Sequence, residues 1–265
     1  MPGEKNHEIV ILGAGRLATH LGTALCKNGL KILQVYNRTA EKGEKLANRT
    51  GASFTNDILG ITVNADYYIM AVADSVIREM SAELRLKDKL VVHTSGTMEM
   101  DVLGPISSQT GVFYPVQTFS QNRRVDFRKI PVCIEGNSKV AEEQLILLAK
   151  KLTPHVYCLD GEKRRLLHLG AVFTSNFANH LFAVTEELLR SHDIPFLLLE
   201  PLIMQTARNV RYEHLDRFQT GPAARGDREV IEEHRKLLAD HPDYLAIYNL
   251  ITENIIRQKS NYGKL

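Results

Sequence analysis

The sequence predicts an α/β chain, a doubly wound sheet over residues 1–160 followed by an all-helical domain over residues 161–265. Three observations carry this. Short apolar runs alternate with amphipathic stretches in the first part, which is the rhythm of a parallel sheet covered by helices. The first apolar run leads straight into a G-x-G-x-x-A turn. Beyond Gly161 the strand signals stop and a 3.6-residue periodicity takes over.

Glu8-Ile9-Val10-Ile11-Leu12 is the first strand, and Gly13-Ala14-Gly15-Arg16-Leu17-Ala18 turns it into a helix over residues 17–28. Gly13 permits the tight turn, Gly15 leaves the backbone bare where a pyrophosphate would approach, and Ala18 lets helix and strand pack closely. The free N–H groups and the positive dipole end of that helix then face an anion. A second strand, Lys31-Ile32-Leu33-Gln34-Val35-Tyr36, completes a βαβ unit. The whole reads as a dinucleotide cradle with Gly13, Ala14, Gly15, Arg16 and Leu17 as its contacts.

Asn37-Arg38-Thr39 follows the second strand, where an NAD-selective site usually places Asp or Glu for the ribose 2′-OH. With no carboxylate to repel a 2′-phosphate, the planar cation of Arg38, the Thr39 hydroxyl and Asn37 point to NADP. The other reading is that Asn37 and Thr39 cap the next helix, 40–49, and that Arg38 is solvated; the two can hold together.

Residues 52–55 and 65–74 read as the third and fourth strands. Ligands lie beyond the carboxyl ends of parallel strands, so Ala71, Val72 and Ala73 are expected against the nicotinamide half of the cofactor. Ser75 or Asp74 is expected to cap a helix to residue 84, and strand 90–93 ends in Thr94-Ser95-Gly96-Thr97, facing the same crevice. Strands at 111–114 and 131–135, a helix at 138–152 and a strand at 155–159 complete the sheet domain. Helical patterns then cover 162–191, 196–218, 227–239 and 243–258.

Composition narrows the class. A net charge of +2 does not suggest a nucleic-acid binder, and Arg123, Arg124, Arg128 and Lys129, interrupted by Asp126, read as a solvated loop. Three cysteines, Cys26, Cys133 and Cys158, are odd in number and far apart, which fits a reduced, cytoplasmic compartment. No secretory signal or membrane span is read, and ten histidines without H-E-x-x-H or a paired Cys/His cluster do not read as a metal site.

At 100° per residue, His168, Ser175 and Asn179 fall within about 40° of one another on the first long helix of the second domain, with Asn176 at the margin. A polar stripe among Leu166, Leu167, Val172, Phe173 and Phe177 either faces a wet cleft or is satisfied by neighbouring helices. On the turn Thr220-Gly221-Pro222-Ala223-Ala224-Arg225-Gly226-Asp227, Asp227 suits a helix N-cap, while Arg225 offers a bidentate site for a substrate carboxylate. Ser95 and Gln117 complete the polar lining, and His93 reads as structural.

A Rossmann domain with N-R-T after its second strand and an all-helical partner resembles the 6-phosphogluconate dehydrogenase-like group, in which pyrroline-5-carboxylate reductase is similar. Residues 171–180 stand where that family has its serine- and glycine-rich helix start, and 220–227 look like its T-x-P-G-G-T-T turn, with Ala223 and Ala224 at the glycines. His168-Leu169-Gly170-Ala171-Val172-Phe173-Thr174-Ser175-Asn176-Phe177, the 220–227 turn and Tyr114-Pro115-Val116-Gln117-Thr118-Phe119 together resemble a bacterial Rossmann-like family of NADP oxidoreductases of unassigned substrate.

The resemblance implies hydride transfer between NADPH and a small carbonyl or imine acid. Substrate is expected between the nicotinamide and the stripe, with His168 as general acid and Ser175, Asn176 and Asn179 orienting. A protein that binds NADP as a sensor or scaffold, without turnover, is the alternative. A homodimer through the helical domain is expected, because Leu197-Leu198-Leu199 and Leu202-Ile203-Met204 make a helix apolar on more than one face.

Overall fold

The computed structural model describes residues 7–120, 125–212 and 214–262. Arg123 and Arg124 of the basic loop lie outside the described residues; in the same loop Arg128 pairs with Asp126 at 2.9 Å. Two compact units divide between Asn176 and Phe177.

The first unit is built on an eight-stranded sheet of order β3-β2-β1-β4-β5-β6-β7-β8. Its strands are β1 (Glu8–Leu12), β2 (Lys31–Tyr36), β3 (Ser53–Thr55), β4 (Tyr67–Met70), β5 (Lys87–His93), β6 (Ser107–Pro115), β7 (Val132–Gly136) and β8 (Val156–Cys158). β1 to β6 pair in parallel, β7 runs antiparallel to β6, and β8 is parallel to β7. The chain leaves β1 toward β2 and β3, then returns to β4 on the other side. That reversal opens a crevice at the carboxyl ends of β1 and β4, where such sheets bind ligands.

Helices α1 (Arg16–Lys27), α2 (Ala40–Thr50), α3 (Asp74–Glu83) and α4 (Lys139–Lys150) cover the sheet. Successive strand residues enter different cores: Ile9 and Ile11 pack with Leu21, Leu46 and Leu145, whereas Val10 and Leu12 pack with Ile77 and Met80. With both faces covered, the strands read as continuous apolar runs rather than alternating ones.

Some boundaries differ from the sequence reading. β5 and β6 begin earlier than expected, at Lys87 and Ser107, because their first residues are polar and carry no apolar signal; Lys87 and Asp88 are exposed, while Ser107 is buried and donates to the Lys87 carbonyl. Neither Ser75 nor Asp74 caps α3. Ala73 is its N-cap, and the Asp74 carboxylate instead accepts from the Thr97 hydroxyl at 2.6 Å. Ser138 does cap α4, accepting from the Ala141 N–H.

α5 (Gly161–Ala171) starts at Asp160, whose side chain accepts from the Lys163 N–H. It passes through a π-helical turn, Val172–Phe177, into α6 (Ala178–Arg190). α5 belongs with the sheet because buried Arg164 bonds to the Glu135 carboxylate on β7 and to the Met98 carbonyl at 2.5 Å.

The second unit contains α6, α7 (Glu200–Arg208), α8 (Pro222–Arg225), α9 (Arg228–Leu237) and α10 (Pro242–Tyr262). The single helix expected over 196–218 is broken. A 3₁₀ turn at Phe196–Leu199 precedes α7, and 3₁₀ turns at Asn209–Arg211 and Leu215–Phe218 follow it, with His214 in the left-handed region at φ 59°. α9 is tied to α10 by His234 Nδ1 and Tyr248 Oη, 2.9 Å apart, and α10 to α6 by the Tyr244 hydroxyl donating to Glu187 at 2.5 Å. Among the described residues no helix is long and apolar enough to cross a membrane.

Candidate functional site

A cleft of about 750 Å³ opens at the carboxyl ends of β1, β2, β4 and β5. Every residue expected to hold the cofactor lines it: Gly13, Ala14, Gly15, Arg16, Leu17, Asn37, Arg38, Thr39, Ala71, Val72 and Ala73. At Gly13 the backbone has φ 113°, and a Cβ would stand 2.5 Å from the Ala71 carbonyl oxygen and 2.7 Å from Val72 Cγ1. Only glycine fits there. At Gly15 the opposite holds, since a Cβ would meet nothing within 4 Å. Gly15 is the N-cap of α1 and no side chain caps that helix, so the N–H groups of its first turn are open to an anion. This cradle fits a dinucleotide pyrophosphate.

The exit of β2 is organised by Asn37. Its Oδ1 accepts from the Ala14 N–H at 3.0 Å and its Nδ2 donates to the Thr39 carbonyl at 2.7 Å, so it ties the glycine turn to the start of α2. Thr39 sits at the N-cap position of α2, but its hydroxyl makes no capping bond. Arg38 and Thr39 are exposed at the cleft. So is Lys42, a cation four residues past Arg38 that the sequence reading passed over; the one-turn spacing from Arg38 was its signal.

At the other end the floor is Ala71 to Ala73, with Thr94 and Ser95 beside it. The Ser95 hydroxyl closes its own turn, accepting from the Thr97 and Met98 N–H groups at 3.1 and 3.0 Å. The next residue, Gly96, is the seat of His168: a Cβ there would lie 2.5 Å from His168 Nδ1. That nitrogen is 3.0 Å from the Tyr114 hydroxyl, with the two rings edge-on at 65°. Tyr114 was missed as a site residue. It stands at the carboxyl end of β6, and burial pushes its phenol pKa up, with Cys133 adding to the rise and Arg164 opposing it.

The polar stripe does not keep the phase counted for an α-helix, because the π turn lies within it. His168 reaches Tyr114, and the Ser175 and Thr118 hydroxyls are 3.0 Å apart. Asn176, at the end of the first unit, and Asn179, on α6 in the second, are exposed. Gln117 is exposed outside the cleft lining, its Oε1 accepting from the Thr118 N–H at 2.9 Å. In the second unit Arg225 ends α8, 3.8 Å from the Asp227 carboxylate, and Asp227 caps α9 by accepting from the Val230 N–H.

His93 is fully buried, and its Nδ1 accepts from the Ser95 N–H at 3.2 Å, a bond that requires the neutral ring. Burial, with the nearby Arg164 cation, pushes its pKa down to about 4. It supports the Ser95 turn from below. Among the described residues no group of three or more His, Cys, Asp or Glu side chains is placed to hold a metal.

Residues 8–96 match the family described as NADP oxidoreductase, coenzyme F420-dependent, and residues 130–255 match a domain of unknown function, DUF2520. A solved protein of Bacteroides fragilis, provisionally named an NADP oxidoreductase, is 41% identical with a TM-score of 0.89, over 95% of this chain and 98% of that one. An imine reductase from Myxococcus stipitatus, solved with NADP+, is 17% identical with a TM-score of 0.64, over 97% of this chain and 95% of that one; the likeness is one of fold. Glutamyl-tRNA reductase of Methanococcus aeolicus is 25% identical over 158 residues, 57% of this chain, which thereby spans only 40% of that protein.

Proposed function

The chain belongs to the family of the Bacteroides fragilis protein, and on that premise we propose an NADP-dependent oxidoreductase that interconverts a small carbonyl or imine acid and its reduced form. The observation that carries the proposal is the cleft itself. One end presents Arg38, Lys42 and the free hydroxyl of Thr39 around a bare helix N-terminus, while the other has a floor of small residues beside Thr94 and Ser95; His168 lies outside this lining, seated against the next residue, Gly96. Arg38 and Lys42 would take the 2′-phosphate, α1 the pyrophosphate, and Ala71 to Ala73 would leave room for the flat ring. When bound, the nicotinamide supplies or accepts the hydride.

The chain's own part is to hold the substrate and a proton. His168 is assigned as the proton donor, since of these side chains the imidazole alone is a general acid, while Ser175, Asn176 and Asn179 only orient. The substrate's acid group is assigned from the sequence, to the guanidinium of Arg225. A screen of small carbonyl and imine acids for NADPH oxidation tests the proposal. Turnover that falls by about 10²-fold or more in His168→Asn, with NADPH affinity and thermal midpoint held, supports it. Tight NADPH binding with no turnover across the screen supports the sensor instead.

We also propose a homodimer through the helical unit. Among its described residues only Ala224, Ile231, Leu238 and Thr252 are buried, while Leu197, Leu198, Leu202 and Leu250 are each more than 60% exposed. A second copy would cover such a surface. A monomer by light scattering at micromolar concentration overturns this.

A further inference from the structure

Resting on the reading of His168 as proton donor, we propose that Tyr114 is a positioning residue that holds the neutral imidazole as its Nε2–H tautomer, so that a proton given to substrate from Nε2 is replaced at Nδ1 by the phenol proton and the ring stays neutral. The geometry decides which nitrogen is free. The Tyr114 hydroxyl lies 3.0 Å from His168 Nδ1, and Tyr114 is only 9% exposed. Its backbone cannot drift, because Tyr114 is paired to Cys133 across the antiparallel β6–β7 ladder and Pro115 follows it.

A buried phenol must give its single proton to an acceptor, and the acceptor the structure provides is Nδ1. With burial raising its pKa, the phenol holds that proton in the resting site. Nδ1 therefore accepts, and the ring proton resides on Nε2. The reverse arrangement, Nδ1–H donating to the phenol oxygen, would strand the phenol proton in a buried place without a partner.

The ring is also fixed from the other sides. Gly96 leaves room for the imidazole where any Cβ would collide with it. One turn earlier on α5, Arg164 is anchored to Glu135 and to the Met98 carbonyl, so the helix that carries His168 is held in place against the sheet. Tyr114 then selects the tautomer within a seat that is already built.

The test is a long-range proton–nitrogen correlation spectrum of ¹⁵N-histidine-labelled protein, recorded above the ordinary imidazole titration, with the His168 signals assigned by their loss in His168→Asn. The expected wild-type pattern is an Nε2–H ring with a hydrogen-bonded Nδ1. In Tyr114→Phe, which keeps the ring packing, the Nδ1 resonance is expected to move toward a free imine nitrogen. The turnover rate kcat is expected to fall roughly tenfold with the KM for NADPH held, part of the effect of a general acid. An Nδ1–H ring in the wild type, or an unmoved Nδ1 resonance in Tyr114→Phe, overturns the proposal. The wild-type spectrum decides alone if the variant does not fold. It needs no turnover, so a protein that oxidises no NADPH counts against the reductase reading, while the tautomer still supports or overturns this one.

Discussion

The two units of this chain differ in what holds them. In the sheet unit, Ile9, Val10, Ile11, Leu12, Tyr68 and Phe113 are wholly buried between helices on both faces. In the helical unit, the large apolar side chains Leu197, Leu198, Leu202 and Leu250 stand in solvent, and its helices are joined by polar bonds such as Tyr244 to Glu187 and His234 to Tyr248. The sheet closes its own core because its central strands are covered on two sides by the chain's own helices, while the edge strands β3 and β8 stay partly exposed. The helices of the second unit, the 21-residue α10 included, bury few side chains against one another and leave large apolar residues exposed. The buried core and the cleft therefore belong to the first unit, and the homodimer proposed above rests on the second.

The sharpest way to break this contrast is to truncate one apolar residue in each unit. Phe113→Ala is expected to cost about 3–5 kcal/mol in denaturant unfolding at any protein concentration. Leu198→Ala should cost less than about 0.5 kcal/mol in dilute protein, with a cost that grows as concentration rises. Equal, concentration-independent losses at both positions would remove the distinction.

A pH series sharpens it next. His93 stays neutral in the folded sheet unit down to about pH 4, whereas in the unfolded chain it protonates near its ordinary 6.5. As pH falls through that window the unfolded state takes up the proton and the folded state does not, so stability declines by up to about 3 kcal/mol. Below the folded value both states are protonated and this group causes no further loss. In His93→Asn the unfolding free energy should vary less steeply across the window; an unchanged slope would mean that another group sets the acid response.

Cofactor affinity comes third. Arg38→Ala is expected to weaken NADPH binding by about 10- to 100-fold, roughly 1.4–2.7 kcal/mol, and to leave NADH binding unchanged. Equal loss for both cofactors in a titration would take the 2′-phosphate away from Arg38. A smaller effect than that on cofactor affinity is expected in the helical unit, where Asp227→Ala removes the N-cap of α9 and should cost about 1 kcal/mol, read as a lower thermal midpoint with NADPH affinity intact.

The cofactor end of the site was legible because its parts are local. Gly13, Gly15, Asn37-Arg38-Thr39 and Ala71 to Ala73 each sit at the carboxyl end of a strand, and a parallel sheet gathers those ends into one crevice. Lys42 was equally near in sequence, but a lysine on an exposed helix face looks like any solvated charge. The end proposed to hold the substrate was read only in part. His168 and Ser175 carried a polar signal on an apolar helix, yet their partners Tyr114 and Thr118 lie 54 and 57 positions away. The π turn then displaced the angular count that had grouped Asn179 with them.

By itself the sequence determined the order of strands and helices in the sheet unit, the turn that only glycine can make at residue 13, the missing acid after β2, and the Asp227 cap. Those features depend on spacing along a few residues. The tertiary structure alone decided that Tyr114 meets His168, that Arg164 is buried against Glu135, and that β7 runs antiparallel. Each of these joins side chains or strands brought together by the path of the sheet and the return of α5, and no local spacing encodes a distance through space.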